Sequence, residues 1–314
     1  MVISTVPVSL APIEVEGHGA FVLRAGPTAF TVVPGLGLLG TSLRHHDREF
    51  LVLRGGADSV LGGHTTGLPL LAPWANRIGG DTYRVNRTDV DLSAAPGVHR
   101  DGNGLPIHGT MIGRAGWEVE RAEALNGYAR LTARFDAAAD EEVMASFPFP
   151  HELTVGFRVR PGDLDVTTTL TATGRRSVPA SFGWHPYFQL PGEDAADLRV
   201  HLPTGDHLEL DERMLPTGAE ETGYSRKAPL VAPGYDDAYR LRANHRLLTV
   251  SGRRRQLTMG MDPGYAYGQV YSPPGEHFVA LEPMVAPINA LGDGLAPMVA
   301  PGESYRARFR VTLL

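Results

Sequence analysis

Apolar and polar residues alternate along much of the chain, in short stretches rich in β-branched and aromatic residues that end at Gly, Pro, Asp or Asn. Alternation of this period is typical of β-strands with one buried face. It predicts strands at Ala20–Arg24, Thr28–Val33, Trp117–Arg121, Ala129–Phe135, Glu152–Arg160, Leu164–Thr173, Leu247–Ser251, Gly268–Tyr271, Phe278–Glu282 and Tyr305–Leu313. Pro161-Gly162 separates two of them and predicts an antiparallel hairpin with one face toward water.

The best helical candidate is Asp136–Ala145, where Ala and Glu favour a helix and Pro148 would end it. Strands do not alternate with long amphipathic helices anywhere, so a parallel α/β fold lacks the helices it needs. We therefore expect an all-β fold, a large antiparallel β-sandwich. No Ser/Gly-rich linker or block of charge divides the chain, which predicts one domain over residues 1–314.

Composition narrows the class of protein. Hydrophobic residues make up 42% of the 314, which excludes a disordered chain, and the absence of Cys excludes disulfide scaffolds, thiolate zinc sites and cysteine nucleophiles. The formal charge of −6 argues against a nucleic-acid binder, and no apolar run approaches the roughly 20 residues of a membrane span. The N-terminal segment has no basic start and contains Pro7 and Pro12, unlike a signal peptide. We expect a cytoplasmic protein that acts on a small molecule.

One motif fails on its context. Gly35-Leu-Gly37-Leu-Leu-Gly40 matches the dinucleotide-binding pattern G-x-G-x-x-G after a predicted strand. That site needs a helix to begin at the glycines, because the helix N-terminus holds the pyrophosphate, and the residues that follow lack a helical apolar stripe. We interpret the segment as a glycine-rich turn.

Three residues in apolar surroundings are candidates for chemistry. His108 ends a Gly/Pro-rich loop and His185 lies among aromatic residues. A histidine in such a place is about as often a core imidazole with one satisfied nitrogen as a functional group. Glu282 ends an apolar run, where a charge is costly to bury.

Two further segments carry charged residues with ordinary explanations of their own. Asp236 and the adjacent Asp237 lie where a turn cap is expected, and Arg77 is explicable as a surface residue. Taken in order, however, five segments together resemble the aldose 1-epimerase (galactose mutarotase) family. The resemblance is carried by Asn76-Arg77-Ile78, His108-Gly109, His185-Pro186-Tyr187-Phe188, the turn at Asp236 and Leu281-Glu282-Pro283.

This resemblance implies a large antiparallel β-sandwich whose concave face holds a sugar. It also implies a general base, Glu282, and a general acid, His185, which we expect to meet one sugar ring from opposite sides. The implied sugar contacts are Arg77, His108 and Asp236, with Asn76 as a secondary contact. Among the aromatic residues, Trp74 and Trp184 are the candidates to pack against sugar C–H groups.

The chemistry of anomer interconversion fits these residue types. A proton must leave the C1 hydroxyl while another reaches the ring oxygen, so that the C1–O5 bond opens. A carboxylate and an imidazole, with ordinary pKa values near 4.3 and 6.5, suit these two transfers near neutral pH. Asp236 is the neighbour expected to favour the protonated imidazole. No metal or organic cofactor is required.

Two alternatives stay open on the same fold. A hexose-6-phosphate 1-epimerase would need further cations, for which Arg44, Arg114 and Arg253 are conceivable donors. A non-catalytic carbohydrate-binding protein would keep the pocket without turnover. Trp184 and Met284 stand where familiar members of the family carry polar residues, which leaves the identity of the sugar open. The chain is expected to be a monomer or a homodimer.

Overall fold

The computed structural model describes residues 6–202, 205–225, 227–230, 234–243 and 246–314. In its first half the strands are β1 Val8–Val15, β2 His18–Ala25, β3 Thr28–Val33, β4 Leu39–His45, β5 Arg48–Glu49, β6 Leu70–Leu71, β7 Thr82–Val85, β8 Thr88–Asp91, β9 Glu118–Leu125, β10 Tyr128–Asp136, β11 His151–Arg160 and β12 Asp163–Ala172. In its second half they are β13 Val178–Pro179, β14 Gly183–Trp184, β15 Tyr187–Phe188, β16 Arg199–His201, β17 Gly205–Leu210, β18 Pro216–Tyr224, β19 Lys227–Pro229, β20 Tyr235–Leu241, β21 Leu247–Ser251, β22 Gln256–Met261, β23 Tyr267–Ser272, β24 Val279–Met284, β25 Met298–Val299 and β26 Ser304–Leu313.

Helices are few and short in the described residues. They are α1 Gly56–Leu61, α2 Glu141–Ser146 and α3 Ala290–Asp293, with 3-10 turns at Pro34–Leu36, Ala137–Ala139 and Ala195–Asp197. The longest has six residues, and no helix in this part of the chain has the length and apolar character to cross a membrane.

Three sheets contain most of the described strands. Strands β1 to β5 form a five-stranded sheet in sequence order. The nine-stranded sheet has the order β19-β16-β21-β22-β26-β12-β11-β10-β9, and the eight-stranded sheet has the order β18-β17-β20-β23-β24-β14-β6 with β15 beside β24. The ladders within these sheets are antiparallel.

The three sheets share a large apolar core. Phe30 of β3 contacts Phe157 of β11 with ring centroids 5.0 Å apart. Trp184 of β14 contacts Phe157 at 5.9 Å and Phe309 of β26 at 6.1 Å. Aromatic side chains from all three sheets therefore meet, and the predicted antiparallel β-sandwich is confirmed.

The predicted hairpin is also confirmed, since β11 and β12 pair in register from His151 with Ala172 to Arg160 with Asp163. The helix predicted over Asp136–Ala145 is wrong in its extent. Asp136 still belongs to β10, and Asp140 caps a later helix by accepting hydrogen bonds from the backbone N–H groups of Glu142 and Val143. The Asp residues thus stop a continuous helix by capping its turns.

The glycine motif forms a turn, as expected. A 3-10 turn at Pro34–Leu36 leads into β4 rather than into a helix. Gly37 has a φ of 71°, and a Cβ atom there would lie 2.3 Å from the carbonyl oxygen of Met111. Glycine is needed at position 37 because the backbone there passes close to the backbone of Met111, and not to hold a phosphate.

Candidate active site

A cavity of about 200 Å³ brings together residues that are far apart in sequence. Its lining includes six of the predicted site residues, Asn76, Arg77, His108, His185, Asp236 and Glu282. Five residues that sequence reasoning did not select complete the lining: Thr65, Ile107, Tyr187, Gln269 and Tyr271. A cavity of this size has room for several waters or one small polar molecule.

The eight-stranded sheet supplies one half of the site. Asp236, Gln269 and Glu282 lie on the neighbouring strands β20, β23 and β24. Gln269 is directly opposite Glu282 in the ladder, and its Nε2 donates to Asp236 Oδ1 at 2.6 Å. The strand register therefore fixes all three side chains on one face.

Asp236 lies within a strand and not in the turn that was predicted for it. Successive side chains of a strand point to opposite faces, so the adjacent Asp237 is directed away from this cavity. Asp237 Oδ1 instead lies 3.0 Å from His207 Nε2. Of the two aspartates, Asp236 is therefore the cavity residue.

Loops supply the other half, in a strained backbone conformation. Asn76 and His108 have φ values of 57° and 64°, in the left-handed region that non-glycine residues rarely adopt. The backbone N–H of His108 donates to the carbonyl oxygen of Asn76 at 3.0 Å, which joins the two loops. A Cβ atom on Gly109 would lie 2.0 Å from the carbonyl oxygen of Ala72, so only glycine fits beside His108. Strain of this kind is concentrated at functional sites.

Arg77 is held by two side chains. Its Nε donates to Asp101 Oδ2 at 2.6 Å, and its Nη1 donates to Asn76 Oδ1 at 3.2 Å. The Arg77 side chain is 13% exposed and the Asp101 side chain 8%. Sequence reasoning did not find Asp101, because its Asp-Gly-Asn-Gly context indicates only a turn.

Glu282 and His185 are in direct contact inside the cavity. His185 Nε2 lies 3.1 Å from Glu282 Oε1, and the residues are 5% and 2% exposed. Burial raises the pKa of Glu282 well above its ordinary value, Asp236 raises it further, and Arg77 lowers it. Burial lowers the pKa of His185 to about 3. Burial therefore favours the uncharged form of each group, a protonated Glu282 beside a neutral His185.

Two expectations about this pair are corrected. Glu282 and His185 touch each other, so they do not face one another across a ring. Neighbouring proton carriers can still serve two oxygens that are bonded to the same carbon. Asp236 does not keep the imidazole charged, because burial dominates the pKa of His185.

Several polar atoms of the cavity residues lack partners. Within the described residues, no hydrogen bond reaches the buried atoms His108 Nδ1, His185 Nδ1, Gln269 Oε1 and Glu282 Oε2. Burial, with His185 and Arg77 nearby, lowers the pKa of His108 well below its ordinary value, so this imidazole is neutral. Unsatisfied buried polar atoms are costly, and a ligand with several hydroxyl groups would satisfy both donors and acceptors.

Tyr187 supports the His185 ring. The two rings stack with centroids 4.6 Å apart and planes 12° apart, and the Tyr187 hydroxyl lies 2.6 Å from Thr65 Oγ1. The backbone N–H of His185 donates to the carbonyl oxygen of Pro69 at 3.1 Å. Stacking and backbone bonding together fix the imidazole plane against Glu282.

Trp184 is not a cavity residue, which corrects the expectation that its indole contacts a sugar. It is 0% exposed, packs between Phe157 and Phe309, and donates from Nε1 to Thr168 Oγ1 at 3.0 Å. As the residue before His185, it points to the opposite side of the chain, into the core. Trp74 and Met284 are also buried in the core clusters, 1% exposed each, and neither lines the cavity.

The three arginines considered as phosphate donors lie outside the cavity. Arg114 pairs with Asp140 and Glu142, Arg253 pairs with Asp197, and Arg44 donates to the carbonyl oxygen of Asp47. Arg77 is thus the one arginine among the described lining residues.

A larger hollow, of about 300 Å³, lies on the outer face of the nine-stranded sheet between arginine and threonine side chains. Its one carboxylate, Asp165, is already paired with Arg160 and Arg310, so it lacks a free acid or base. In the described part of the chain, no group of three His, Cys, Asp or Glu residues has the arrangement of a metal site.

Comparison with known proteins gives a family and a fold. The family model described as aldose 1-epimerase matches residues 32–312, most of the chain. None of the curated proteins is similar enough in sequence to match.

Solved structures resemble this one over nearly their whole length. A galactose mutarotase-like protein from Clostridium acetobutylicum is 17% identical with a TM-score of 0.86, and 99% of each chain is covered. Galactose 1-epimerase from Lactobacillus acidophilus NCFM is 14% identical with a TM-score of 0.76, again over 99% of each chain. An aldose epimerase homologue from C. elegans is 15% identical with a TM-score of 0.73, over 98% of this chain and 99% of the other. At such identities the likeness establishes the fold alone.

Proposed function

The chain belongs to the aldose 1-epimerase family, and from that premise we propose that it interconverts the α and β anomers of an unphosphorylated aldohexose. The observation that carries the proposal is the contact of 3.1 Å between two buried proton carriers, His185 and Glu282, in a polar cavity. A protein that only binds sugar needs hydrogen-bonding groups but has no need of a buried acid next to a base.

In the proposed reaction the carboxylate of Glu282 takes the proton of the C1 hydroxyl, and protonated His185 gives a proton to the ring oxygen. The C1–O5 bond breaks as C1=O1 forms, rotation about C1–C2 exposes the other face, and the transfers run backwards. The reacting form has Glu282 ionised and His185 protonated, and transfer of the carboxyl proton across the 3.1 Å contact produces it from the uncharged pair. Arg77 favours that transfer, because its charge lowers the pKa of Glu282.

The remaining cavity groups fit hydroxyl recognition. Asp236 has one carboxylate oxygen bound by Gln269, and its pKa is raised by burial although Gln269 and Arg77 oppose this. Arg77 and His108 offer N–H groups on the other side of the cavity. Positioned acid and base groups contribute typically 10²–10⁴-fold each, which suffices for a reaction that already occurs in water.

The charges favour an unphosphorylated substrate over a hexose 6-phosphate. A phosphate in the cavity would add negative charge beside Asp236 and beside Glu282, whose carboxylate form the reaction requires, and the charge of Arg77 is already paired with Asp101. Repulsion between like charges in a buried site is costly.

The test is polarimetry of freshly dissolved α-glucose and α-galactose, followed by a panel of other aldoses. We expect equilibration well above the rate in buffer for at least one neutral sugar. A rate equal to that in buffer for every sugar, with binding retained, would favour the carbohydrate-binding alternative. A strong preference for a hexose 6-phosphate would overturn the choice of substrate.

A further inference from the structure

Two five-residue turns of the chain have the same hydrogen bonds. In the turn 101–105, Asp101 Oδ1 accepts from the backbone N–H groups of Asn103 and Leu105, both at 2.9 Å. In the turn 211–215, Asp211 Oδ1 accepts from those of Arg213 and Leu215, both at 2.9 Å. The fourth residue has a positive φ in each, 77° at position 104 and 63° at position 214. In both turns one carboxylate oxygen is therefore enough to hold the loop.

The two turns differ in the use of the second oxygen. Asp101 Oδ2 accepts the Nε–H of Arg77 at 2.6 Å in a nearly buried position, whereas Asp211 is exposed. Asn76 Oδ1 holds Nη1 of the same guanidinium, and within the described residues Arg77 Nη2 has no hydrogen bond. Asp101 thus orients a guanidinium group whose remaining N–H groups are available to the cavity.

The same loop also carries His108. The backbone N–H of Ile78 donates to the carbonyl oxygen of Pro106, and that of His108 donates to Asn76. Because an arginine side chain otherwise samples many rotamers, a fixed ion pair lowers the entropy cost of sugar binding.

We propose that Asp101 is a positioning residue for sugar recognition, which acts by fixing the Arg77 guanidinium in the cavity. This inference rests on the proposed function, because its effect is measured on sugar turnover. Asp101 is ionised at neutral pH. Burial raises its pKa, but the hydrogen bonds from Arg77, Leu105 and Asn103 outweigh burial and hold the pKa of Asp101 below its ordinary value.

The decisive variant is Asp101→Asn, because the turn dictates how the amide must lie. The backbone N–H groups of Asn103 and Leu105 need the amide oxygen, so the amide NH₂ faces the Arg77 Nε–H and two donors meet. The Asn variant therefore keeps the turn but loses the hydrogen bond that fixes the Arg77 guanidinium. Asp211→Asn is the matched control, because Asp211 holds the same kind of turn and, within the described residues, no guanidinium group is bound to its carboxyl group.

We expect Asp101→Asn to lower kcat/KM at least tenfold, mainly through a higher KM, with an unchanged pH profile. Asp211→Asn should stay within twofold of the wild type. In an Arg77→Ala background, Asp101→Asn should change kcat/KM by less than twofold, since its effect passes through Arg77. Asp101→Ser, which keeps a hydroxyl acceptor for the turn but offers none to Arg77, should repeat the effect.

Three results would overturn the inference. These are an Asp101→Asn enzyme within twofold of an active wild type, an undiminished effect in the Arg77→Ala background, or loss of folding in both Asp101 variants while Asp211→Asn folds. If the wild type turns over no sugar, the proposed function itself fails, and this inference fails with it. Wild-type activity therefore separates the two failures.

Discussion

Replacement of Glu282 by Gln is expected to separate catalysis from stability. The amide has the size of the carboxyl group and can stay beside His185 Nε2, which lies 3.1 Å from Glu282 Oε1, but it cannot accept the C1 hydroxyl proton. Loss of one positioned proton carrier costs about 10²–10⁴-fold in kcat, or roughly 3–5 kcal/mol at 1.36 kcal/mol per factor of ten.

The same substitution should stabilise the protein at higher pH. The folded-state pKa of Glu282 is raised well above 4.5, so the folded chain binds a proton that the unfolded chain has released. Above pH 4.5 this group therefore lowers the free energy of unfolding by up to about 1.4 kcal/mol per pH unit, until the folded pKa is reached. Gln does not titrate, so the variant gains on the wild type as pH rises.

Polarimetry measures the first effect and urea unfolding at pH 5, 6, 7 and 8 the second. We expect a variant that is at least 10²-fold slower and that gains stability over the wild type as pH rises from 5 toward the folded pKa of Glu282. A near-normal kcat would remove Glu282 from its proposed role. A variant that is less stable than the wild type at pH 8 would refute the argument that burial of the Glu282 carboxyl group lowers the free energy of unfolding at that pH.

Three further predictions concern other buried residues. His185→Asn should lower kcat at least 10²-fold in polarimetry, whereas His207→Asn, outside the cavity, should stay within twofold; equal rates for both would exclude His185. Trp184→Phe loses the hydrogen bond to Thr168 Oγ1, so urea unfolding should show a free energy of unfolding lower by about 1–3 kcal/mol, with KM within twofold of the wild type. A raised KM at unchanged stability would instead show that the indole contacts the sugar. Burial lowers the pKa of His151 to about 4, so between about pH 4 and 6.5 the unfolded chain binds the extra proton and stability falls as pH falls. His151→Gln should flatten that slope in urea titrations, and an identical slope would contradict the assignment.

Several strands were predictable from their short stretches of β-branched and aromatic residues. Thr28–Val33 and Leu247–Ser251 agree with the sequence prediction at both ends. By contrast β18, Pro216–Tyr224, is an exposed edge strand without apolar alternation and was not predicted. Strand order was beyond the sequence as well, because β26 pairs with β12, which lies more than a hundred residues earlier.

The residues of the site also divide into those that the sequence predicts and those that it does not. Its charged residues were found because their motifs resemble a known family, but Gln269 was not, although it lies on a predicted strand. Alternation groups Gln269 with Tyr271 on one face, yet only the pairing of Gln269 with Glu282 reveals that this face borders the cavity. Trp184 was wrongly selected as an apolar face for the sugar, because successive side chains point to opposite sides and its indole enters the core while His185 lines the cavity.

The cavity is built half from strands and half from loops, and the two halves differ in how readily their residues can be substituted. Glu282, Gln269 and Asp236 are locked into a hydrogen-bonded ladder, where a shift of one residue would invert every side chain. The other half consists of loops that carry Asn76, Arg77 and His108. Loop sequences ordinarily vary more among related proteins than strand sequences do. For the proposed reaction, substitutions in the loop half can therefore change the groups that contact the sugar hydroxyls while Glu282 keeps its position in the ladder.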